Sequence, residues 1–236
     1  MMSSHALLQT VEEVVRKCRD MEGSLNDKLQ LVADTVRANS PPFAEAVDRV
    51  VARLAKSGAG ANAPAVGDPM PPFLLPDDTG RLISLEELIE SGPVALVFNR
   101  GHWCPYCRTN TAALAQVYGQ VSAEGGQIVG ITPDRQKYTA MLKSAVDAPF
   151  PILTDMDNAY AMSLNLVIWV GAEMQEFQER AGVDLRASQG NDAWLIPIPA
   201  TFVVGTDGLV KARYVDPDYR KRMAMEDLVQ AIRKAR

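Results

Sequence analysis

The sequence contains little cysteine and little histidine. Its 236 residues include three cysteines and two histidines. Two of the cysteines share one tetrapeptide, Cys104-Pro105-Tyr106-Cys107, which excludes the multiple bridges of a secreted disulfide scaffold. A structural zinc site needs four ligands, usually from two such pairs. Zinc therefore stays an alternative only if two of Cys18, His5 and His102 complete the ligand set.

The chain also lacks a basic excess and a long apolar run. Its formal net charge is −5, whereas nucleic acids and anionic membranes attract basic surfaces. No apolar run approaches the roughly 20 residues of a membrane span, and residues 1–20 hold no apolar core of signal-peptide length. We therefore expect a cytoplasmic protein whose partners are small molecules or proteins, with no nucleic acid and no membrane.

Apolar residues at helical spacing mark the first part of the chain. Three stripes begin at Leu7, Leu25 and Phe43, which predicts two or three helices. Cys18 falls on the first stripe, so we interpret it as a small buried apolar residue. Residues 57–72 are rich in glycine and proline, which is typical of a linker. The predicted division is a helical extension, 1–60, and a main domain, 61–236.

Strand-like and helical segments alternate in the main domain. Two β-type runs around residues 73–83 predict a hairpin, and Ser84 with Glu87 predicts a capping box for a short helix. Residues 94–98 form an apolar run typical of a buried central strand. Further strands are predicted near 127–131, 151–153 and 201–215, with helices between them and at the end. This order indicates an α/β core with a parallel component. No function is assigned to residues 165–192.

The CxxC pair stands between the central strand and a helix. Pro105 suits the first helical position, which places Cys104 at the helix N-terminus. Unpaired N–H groups and the helix dipole favour a thiolate there, so we predict a low pKa for Cys104 and a higher pKa for Cys107. Cys107 lies one turn further on the same face, within reach for a disulfide. This context favours thiol redox chemistry over zinc.

Two motifs resemble those of the thioredoxin fold. The Cys-Pro-Tyr-Cys tetrapeptide is the one glutaredoxins use, and Ile198-Pro199-Ala200-Thr201 is similar to the proline corner that faces the active site. We accordingly predict a cis bond before Pro199. Residues 72–77, 98–105 and 215–219 more specifically resemble peroxiredoxins of the alkyl hydroperoxide reductase/thiol-specific antioxidant family. The likeness covers residues 66–236.

The resemblance implies a thioredoxin-like fold, a central mixed sheet flanked by helices, with the N-terminal helical extension added. It implies a thiol peroxidase that reduces hydrogen peroxide or organic hydroperoxides. Cys104 would be the attacking residue and Cys107 the partner in a Cys104–Cys107 disulfide. A thioredoxin- or glutathione-type thiol would be the reductant, with no cofactor and no metal. Because Gly101, Val97 and Ala200 replace groups that the family uses around peroxide, we expect a rate below that of the best peroxiredoxins.

Several neighbours are candidates for holding the thiolate or the substrate. Arg100, Arg108 and His102 supply charge or a proton in one interpretation and are solvated surface groups in the other. Trp103 and Tyr106 are expected to be apolar walls. Two residues of the proline corner, Pro199 and Thr201, complete the set of candidates, and β-propensity favours Thr201 as a strand residue.

Two other functions remain open on the sequence. One is a thioredoxin- or glutaredoxin-like thiol–disulfide oxidoreductase, for which the tetrapeptide and the proline corner are the better evidence. The other is a non-catalytic redox sensor or interaction protein that uses its extension to bind a partner. The amphipathic helices of the extension also make a homodimer an expectation.

Overall fold

A computed structural model describes residues 4–235, with side chains from Leu7 onward. Three helices open the chain: α1 (Ser4–Asp20), α2 (Leu25–Asn39) and α3 (Pro41–Lys56). Ser24 and Asp27 form a reciprocal capping box at α2, and Pro41 begins α3. The predicted helical extension is confirmed. No helix within the described part of the chain is both long and apolar enough to cross a membrane.

A five-stranded mixed sheet forms the centre of the molecule. Its members, in spatial order, are β5 (Ile152–Thr154), β4 (Gln127–Thr132), β3 (Val94–Phe98), β8 (Ala200–Val204) and β9 (Val210–Val215). The central strand β3 runs parallel to β4 and antiparallel to β8. All five of its residues are buried, as expected for a strand covered on both faces. The predicted fold class is confirmed.

The two faces of β3 face different cores. Ala95 and Val97 face a core that includes α5 (Pro105–Ala123) and α10 (Met225–Lys234). The alternate residues of β3, Val94 among them, face a second core, because successive side chains in a strand point to opposite faces. Helices on one side and smaller elements on the other thus fix the strand that leads into the CxxC turn.

The second core is covered by smaller elements. A hairpin joins β1 (Leu74–Pro76) to β2 (Leu82–Ser84), as predicted, and α4 (Leu85–Ser91) follows. Ser84 Oγ accepts a hydrogen bond from the Glu87 backbone N–H at 3.1 Å. The Glu87 carboxylate, however, pairs with Arg81, so the predicted capping box is present only in its first half.

The N-terminal extension packs against α5. Buried residues of α1 and α2, such as Val15 and Leu29, share one apolar core with Leu114 of α5. Cys18 is 2% exposed within that core and is a free thiol, so its interpretation as a buried apolar residue is confirmed. These contacts bring α1 to the same end of α5 as the cysteine pair. The domain division at residue 60 stays a prediction.

An insertion lies between β5 and β8. It contains α7 (Ala159–Ser163), β6 (Val167–Trp169), α8 (Ala172–Arg180), α9 (Leu185–Gln189) and β7 (Leu195–Pro197), with α6 (Gln136–Ala145) preceding it. Strands β6 and β7 pair with each other, outside the main sheet. The segment 165–192, to which the sequence assigned no function, also contains α9, which Asp184 caps by accepting from the Ala187 N–H at 2.8 Å. Only five residues long, α9 carries too little periodicity to be predicted.

The segment predicted as a linker, residues 57–72, is fixed against the sheet edge. The Gly67 N–H donates to the Val210 carbonyl at 2.8 Å, and the Val210 N–H donates to the Asp68 carbonyl at 2.9 Å. Arg213 holds the Ala63 carbonyl at 2.9 Å, and Met70 is 4% exposed. The linker interpretation is therefore wrong. The glycines and prolines of this segment let the backbone follow an irregular path along the edge of β9, which the segment covers.

The bond before Pro199 is trans, since the described residues contain no cis peptide bond. The prediction of a cis proline is wrong. The chain passes from β7 to β8 within two residues, and the Ile198 N–H donates to the Leu166 carbonyl at 2.6 Å. The trans isomer, which X–Pro bonds ordinarily prefer, suits this direct passage.

Candidate active site

The turn between β3 and α5 places Cys104 at the helix start. Cys104 is the N-cap residue of α5, with φ −84° and ψ 115°, and Pro105 follows in the first helical position. Both features match the prediction from the sequence. The thiol of Cys104 thus lies at the end of α5 where the backbone N–H groups have no intrahelical partner.

Both sulfurs of the pair are enclosed. Cys104 and Cys107 are each 0% exposed and are free thiols. Cys107 Sγ accepts a hydrogen bond from the Arg100 backbone N–H at 3.3 Å. Both thiols therefore lie inside the protein, close to the N-terminus of α5.

A buried arginine faces Cys104. Arg100 is 4% exposed, and its Nη1 lies 3.9 Å from Cys104 Sγ. Its guanidinium carbon lies 3.8 Å from the ring centroid of Tyr219 and 5.0 Å from that of Trp103. Aromatic faces attract cations, so the two rings hold the guanidinium without neutralising it. The surface interpretation of Arg100 is wrong, and the charged group lies beside the thiol.

A second arginine approaches Cys107 from the loop after β9. Arg222 Nη2 lies 3.5 Å from Cys107 Sγ, and Arg222 Nη1 also donates to the Lys221 carbonyl at 2.7 Å. In the same loop, Tyr219 meets the Tyr106 ring edge-on at a centroid distance of 5.3 Å. In the sequence, Tyr219 stands out only as part of the 215–219 motif, and nothing marks Arg222 as a neighbour of the cysteine pair. Arg222 is 115 positions from Cys107 in the sequence, so no local pattern would reveal the contact.

These neighbours separate the acidities of the two thiols. Burial alone would raise the pKa of Cys104, but the hydrogen bond from Cys107 and the charges of Arg100 and Arg222 lower that pKa to about 5. Burial and the neighbouring Cys104 raise the pKa of Cys107 well above its usual value. The predicted order of the two pKa values is the order found. The cause differs, since the two sulfurs are equally buried and their mutual hydrogen bond, together with the charge of Arg100 on Cys104, distinguishes them.

Comparison with known proteins places this arrangement in a family. The AhpC/TSA family pattern matches residues 66–213, which is more than half of the chain. The chain belongs to the AhpC/TSA family. A putative peroxiredoxin of Coxiella burnetii is 30% identical over 103 residues, covering 44% of this chain and 68% of that protein. A thiol:disulfide interchange protein DsbE of Allochromatium vinosum is 28% identical over 160 residues, covering 66% of this chain and 69% of that protein.

The fold has a counterpart among solved structures. The crystal structure of peroxidoxin BcpB from Mycobacterium tuberculosis superposes with a TM-score of 0.57 at 21% identity, covering 73% of this chain and 99% of that one. The shared region has the peroxiredoxin type of thioredoxin fold. The likeness at this identity concerns the fold alone.

This AhpC/TSA protein has a structural reason for Gly101. The glycine has φ +146°, a backbone conformation that disfavours other residues. A Cβ at this position would lie 2.5 Å from Trp103 Nε1, so the Trp103 ring occupies the space that a side chain would need. A residue with a side chain therefore does not fit at position 101 unless Trp103 moves.

Two further residues predicted from the sequence to act on the thiolate, His102 and Arg108, are instead bound to carboxylates. His102 is directed to the buried Asp134, with its backbone N 2.6 Å and its Nδ1 3.1 Å from Asp134 Oδ2. Arg108 forms a two-pronged ion pair with Glu12 of α1, with Arg108 Nη2 2.8 Å from Glu12 Oε2. Both side chains thus have carboxylate partners. Arg100 and Arg222 are the side chains that approach the sulfurs in the contacts shown above.

The proline corner lies close to Arg100. Pro199 lines a small apolar cavity that Arg100 and Tyr219 also line. Thr201 is 5% exposed in β8, opposite Val97 in the strand pairing. The expectation of Thr201 as a strand residue is confirmed, and Pro199 forms part of the wall behind the guanidinium.

Proposed function

We propose that this protein is a thiol peroxidase in which Cys104 attacks hydroperoxides and Cys107 resolves the product. One observation carries the proposal. In a member of the AhpC/TSA family, a buried thiol with a pKa of about 5 lies 3.9 Å from an arginine held by aromatic rings. At neutral pH such a group is a thiolate, which is the nucleophilic form.

The proposed cycle begins when the Cys104 thiolate attacks the distal oxygen of the hydroperoxide. A sulfur–oxygen bond forms, the oxygen–oxygen bond breaks, and the departing alkoxide or hydroxide takes a proton to leave as an alcohol or water. The sulfur is oxidised by two electrons to a sulfenic acid. Arg100 offsets the negative charge during attack, in the position where the thiolate and the incoming oxygen meet.

Cys107 then attacks the sulfenic acid, forming the Cys104–Cys107 disulfide and releasing water. Its raised pKa keeps it protonated while Cys104 reacts, so the two thiols do not compete for the peroxide. Arg222, 3.5 Å from Cys107 Sγ, stabilises this sulfur when it loses its proton. A thioredoxin- or glutathione-type thiol, in a reducing compartment such as the cytoplasm, supplies two electrons and restores the pair.

The proposal is tested with single cysteine variants. The reduced Cys107→Ser protein should react with hydrogen peroxide, change the emission of Trp103, and yield a sulfenic acid that dimedone traps. Cys104→Ser should be inert, while Cys18→Ser, which changes a thiol in another part of the core, should behave as the unaltered protein. A rate in Cys107→Ser no higher than that of free cysteine thiolate would contradict the proposal.

A second candidate is a thiol–disulfide oxidoreductase. The similarity to the DsbE protein and the Cys-Pro-Tyr-Cys pair favour it. This enzyme would reduce a protein or glutathione disulfide rapidly and would react with peroxide no faster than an ordinary thiolate. Parallel assays with hydrogen peroxide and with a glutathione mixed disulfide separate the two functions. A redox sensor without turnover would fail both assays.

The assembly state is a separate proposal. The homodimer was expected because the amphipathic helices of the extension needed a surface to cover. Their buried residues, Val15 and Leu29 among them, already pack against α5 within one chain, which removes that reason for a dimer. The homodimer therefore stays a prediction, and the mass of the protein in solution at several concentrations provides the test.

A further inference from the structure

The loop at residues 216–224 brings two side chains to the cysteine pair. It joins β9 to α10 and contains no helix or strand. The Tyr219 ring centroid lies 3.8 Å from the guanidinium carbon of Arg100, and Arg222 Nη2 lies 3.5 Å from Cys107 Sγ. Charge interactions weaken as the distance grows. The effect of these side chains on the sulfurs therefore depends on how firmly the loop is held.

An ion pair joins this loop to α3 of the N-terminal extension. Arg220 Nη1 lies 2.8 Å from Asp48 Oδ1. The same guanidinium binds both carboxylate oxygens of Asp218, with Nε 2.8 Å from Oδ1 and Nη2 3.0 Å from Oδ2. Tyr219 stands between Asp218 and Arg220 in the chain. The ion pairs therefore fix the loop on both sides of the ring that holds Arg100.

Helix α3 is a firm anchor for this ion pair. Val47, the neighbour of Asp48, is buried in the apolar core that also contains both cysteines of the pair. Arg37 of α2 binds the second carboxylate oxygen of Asp48 at 2.7 Å. The hydrogen bonds from Arg37 and from Arg220 lower the pKa of Asp48, so its charge is present at neutral pH.

The two sides of the loop are held by different forces. On its inner side, Tyr219 and Met223 pack in the apolar core. On its outer side, a polar cavity of about 270 Å³ lies between the loop and α2. The loop residues that line this cavity are Asp218, Arg220 and Lys221, all of them charged. The ion pair with α3, rather than apolar packing, thus joins the outer side of the loop to the extension.

We propose that Asp48 is a positioning residue for the cysteine pair and that it acts through Arg220. By fixing the loop at 216–224, the ion pair keeps Arg222 beside Cys107 and keeps the aromatic partner of Arg100 in place. The extension thereby acts on the acidity of the nucleophile. The benefit for the reaction rests on the peroxidase function proposed above, but the positioning itself can be measured without a substrate.

The sign of the pKa change separates positioning from a direct charge effect. Removing the negative charge of Asp48 would by itself favour a thiolate, so a direct effect would lower the pKa of Cys104. Loss of position has the opposite effect, because the charges of Arg100 and Arg222 lower that pKa. A rise in the pKa of Cys104 is therefore the sign of positioning.

The test measures alkylation of Cys104 by iodoacetamide against pH in the reduced full-length protein, with the modified cysteine identified by peptide mass. Asp48→Asn should raise the pKa of Cys104 above its value of about 5. Below that pH the alkylation rate should fall by up to about fivefold, the upper range for loss of one partly exposed ion pair. Asp48→Glu keeps the charge and should keep the pKa close to that of the unaltered protein.

Glu173→Gln is the matched control. Glu173 pairs with Arg49 of the same helix α3 at 2.6 Å and is 52% exposed, against 44% for Asp48. This pair joins α3 to α8 and not to the loop. The control should therefore leave the pKa of Cys104 unchanged, and a rise equal to that in Asp48→Asn would overturn the inference.

A double variant tests the route through Arg220. In Arg220→Met the ion pair is already lost, so adding Asp48→Asn should not raise the pKa of Cys104 further. Arg220→Gln provides the same background if Arg220→Met does not fold. An equal rise in both backgrounds, or an unchanged or lowered pKa in Asp48→Asn alone, would overturn the inference. Because alkylation uses no peroxide, a failure of the peroxidase function would leave these results unaffected.

Discussion

The turn at residues 99–104 and the loop at residues 216–224 each bring one arginine to the cysteine pair, but by different routes. Arg100 is four residues from Cys104, and its position follows from the strand–turn–helix order. Arg222 reaches Cys107 only because β9 and the following loop fold back over α5. The turn places the nucleophile and its cation together, whereas the loop adds a cation to the partner thiol. We therefore expect attack to depend more on Arg100 than on Arg222, although both charges lower the pKa of Cys104, and recovery of the pair to depend on Arg222.

The largest effect is expected from Arg100→Met. Removing the charge beside Cys104 should raise the pKa of Cys104 from about 5 toward the ordinary thiol value of about 8.5. The peroxide rate at neutral pH should fall about a hundredfold, as for loss of a charge-stabilising donor. Iodoacetamide alkylation against pH measures the pKa, and Arg100→Lys serves as the charge-conserving control. An unchanged alkylation profile would show that Arg100 does not hold the thiolate.

Arg222→Met should have a smaller effect and on a different step. Because Arg222 contacts Cys107, the variant should slow reduction of the disulfide about tenfold, the effect of roughly one pKa unit at the sulfur. Sulfenic acid formation should change less than in Arg100→Met. Lys221→Met is the matched control, since Lys221 is 57% exposed and pairs with Asp216 at 3.6 Å. If Arg222→Met lowered the rates of sulfenic acid formation and of disulfide reduction equally, the turn and the loop would not act on different steps.

The lowered pKa also predicts how stability depends on pH. Cys104 is an acid whose folded pKa, about 5, lies below its ordinary value of 9.0. The stabilisation is therefore present near pH 9 and is lost as pH falls through about 5. The reduced protein should lose stability over this window relative to Cys104→Ser, as measured by denaturant unfolding. A constant difference between the two proteins from pH 9 to 5 would contradict the assigned pKa.

The smallest effect concerns the ion pair that joins α1 to α5. Glu12→Gln removes the carboxylate that holds Arg108 while keeping the shape of the side chain. Since the Glu12 side chain is 47% exposed, the free energy of unfolding should fall by about 0.5 kcal/mol at most. The pKa of Cys104 should not change, because Arg108 pairs with Glu12 and the cations that lower this pKa are Arg100 and Arg222. A clear shift of that pKa would place Arg108 among the groups that act on the thiolate.

The elements that depend on local patterns were predicted well. The run at 94–98, the proline at 105 and the two hairpins carry their own signals, and the structure places them where the sequence indicates. The three N-terminal helices followed from apolar spacing for the same reason. The position of the nucleophile, Cys104, could therefore be predicted from the residues next to it in the sequence.

The features that depend on tertiary contacts were missed or misread. Composition suggested a flexible linker at 57–72, but hydrogen bonds to β9 fix it. Arg222 and the cavity arise from segments that are far apart in the sequence. His102 was a candidate on proximity alone, and the carboxylate of Asp134, 32 residues later, holds it. Such partners become visible only when the chain has folded.

Complete burial of the sulfurs has a kinetic consequence. Cys104 and Cys107 are each 0% exposed as free thiols. If their disulfide is equally buried, a folded protein reductant cannot touch it and must wait until the closed form opens locally. Small openings of this kind occur far below the free energy of global unfolding. At high concentration of a protein reductant, recovery of the enzyme should become independent of that concentration and proceed at the opening rate. With a small thiol that enters without such opening, the recovery rate should keep rising with thiol concentration. Burial of the sulfurs would thus make the recovery rate depend on the size of the electron donor.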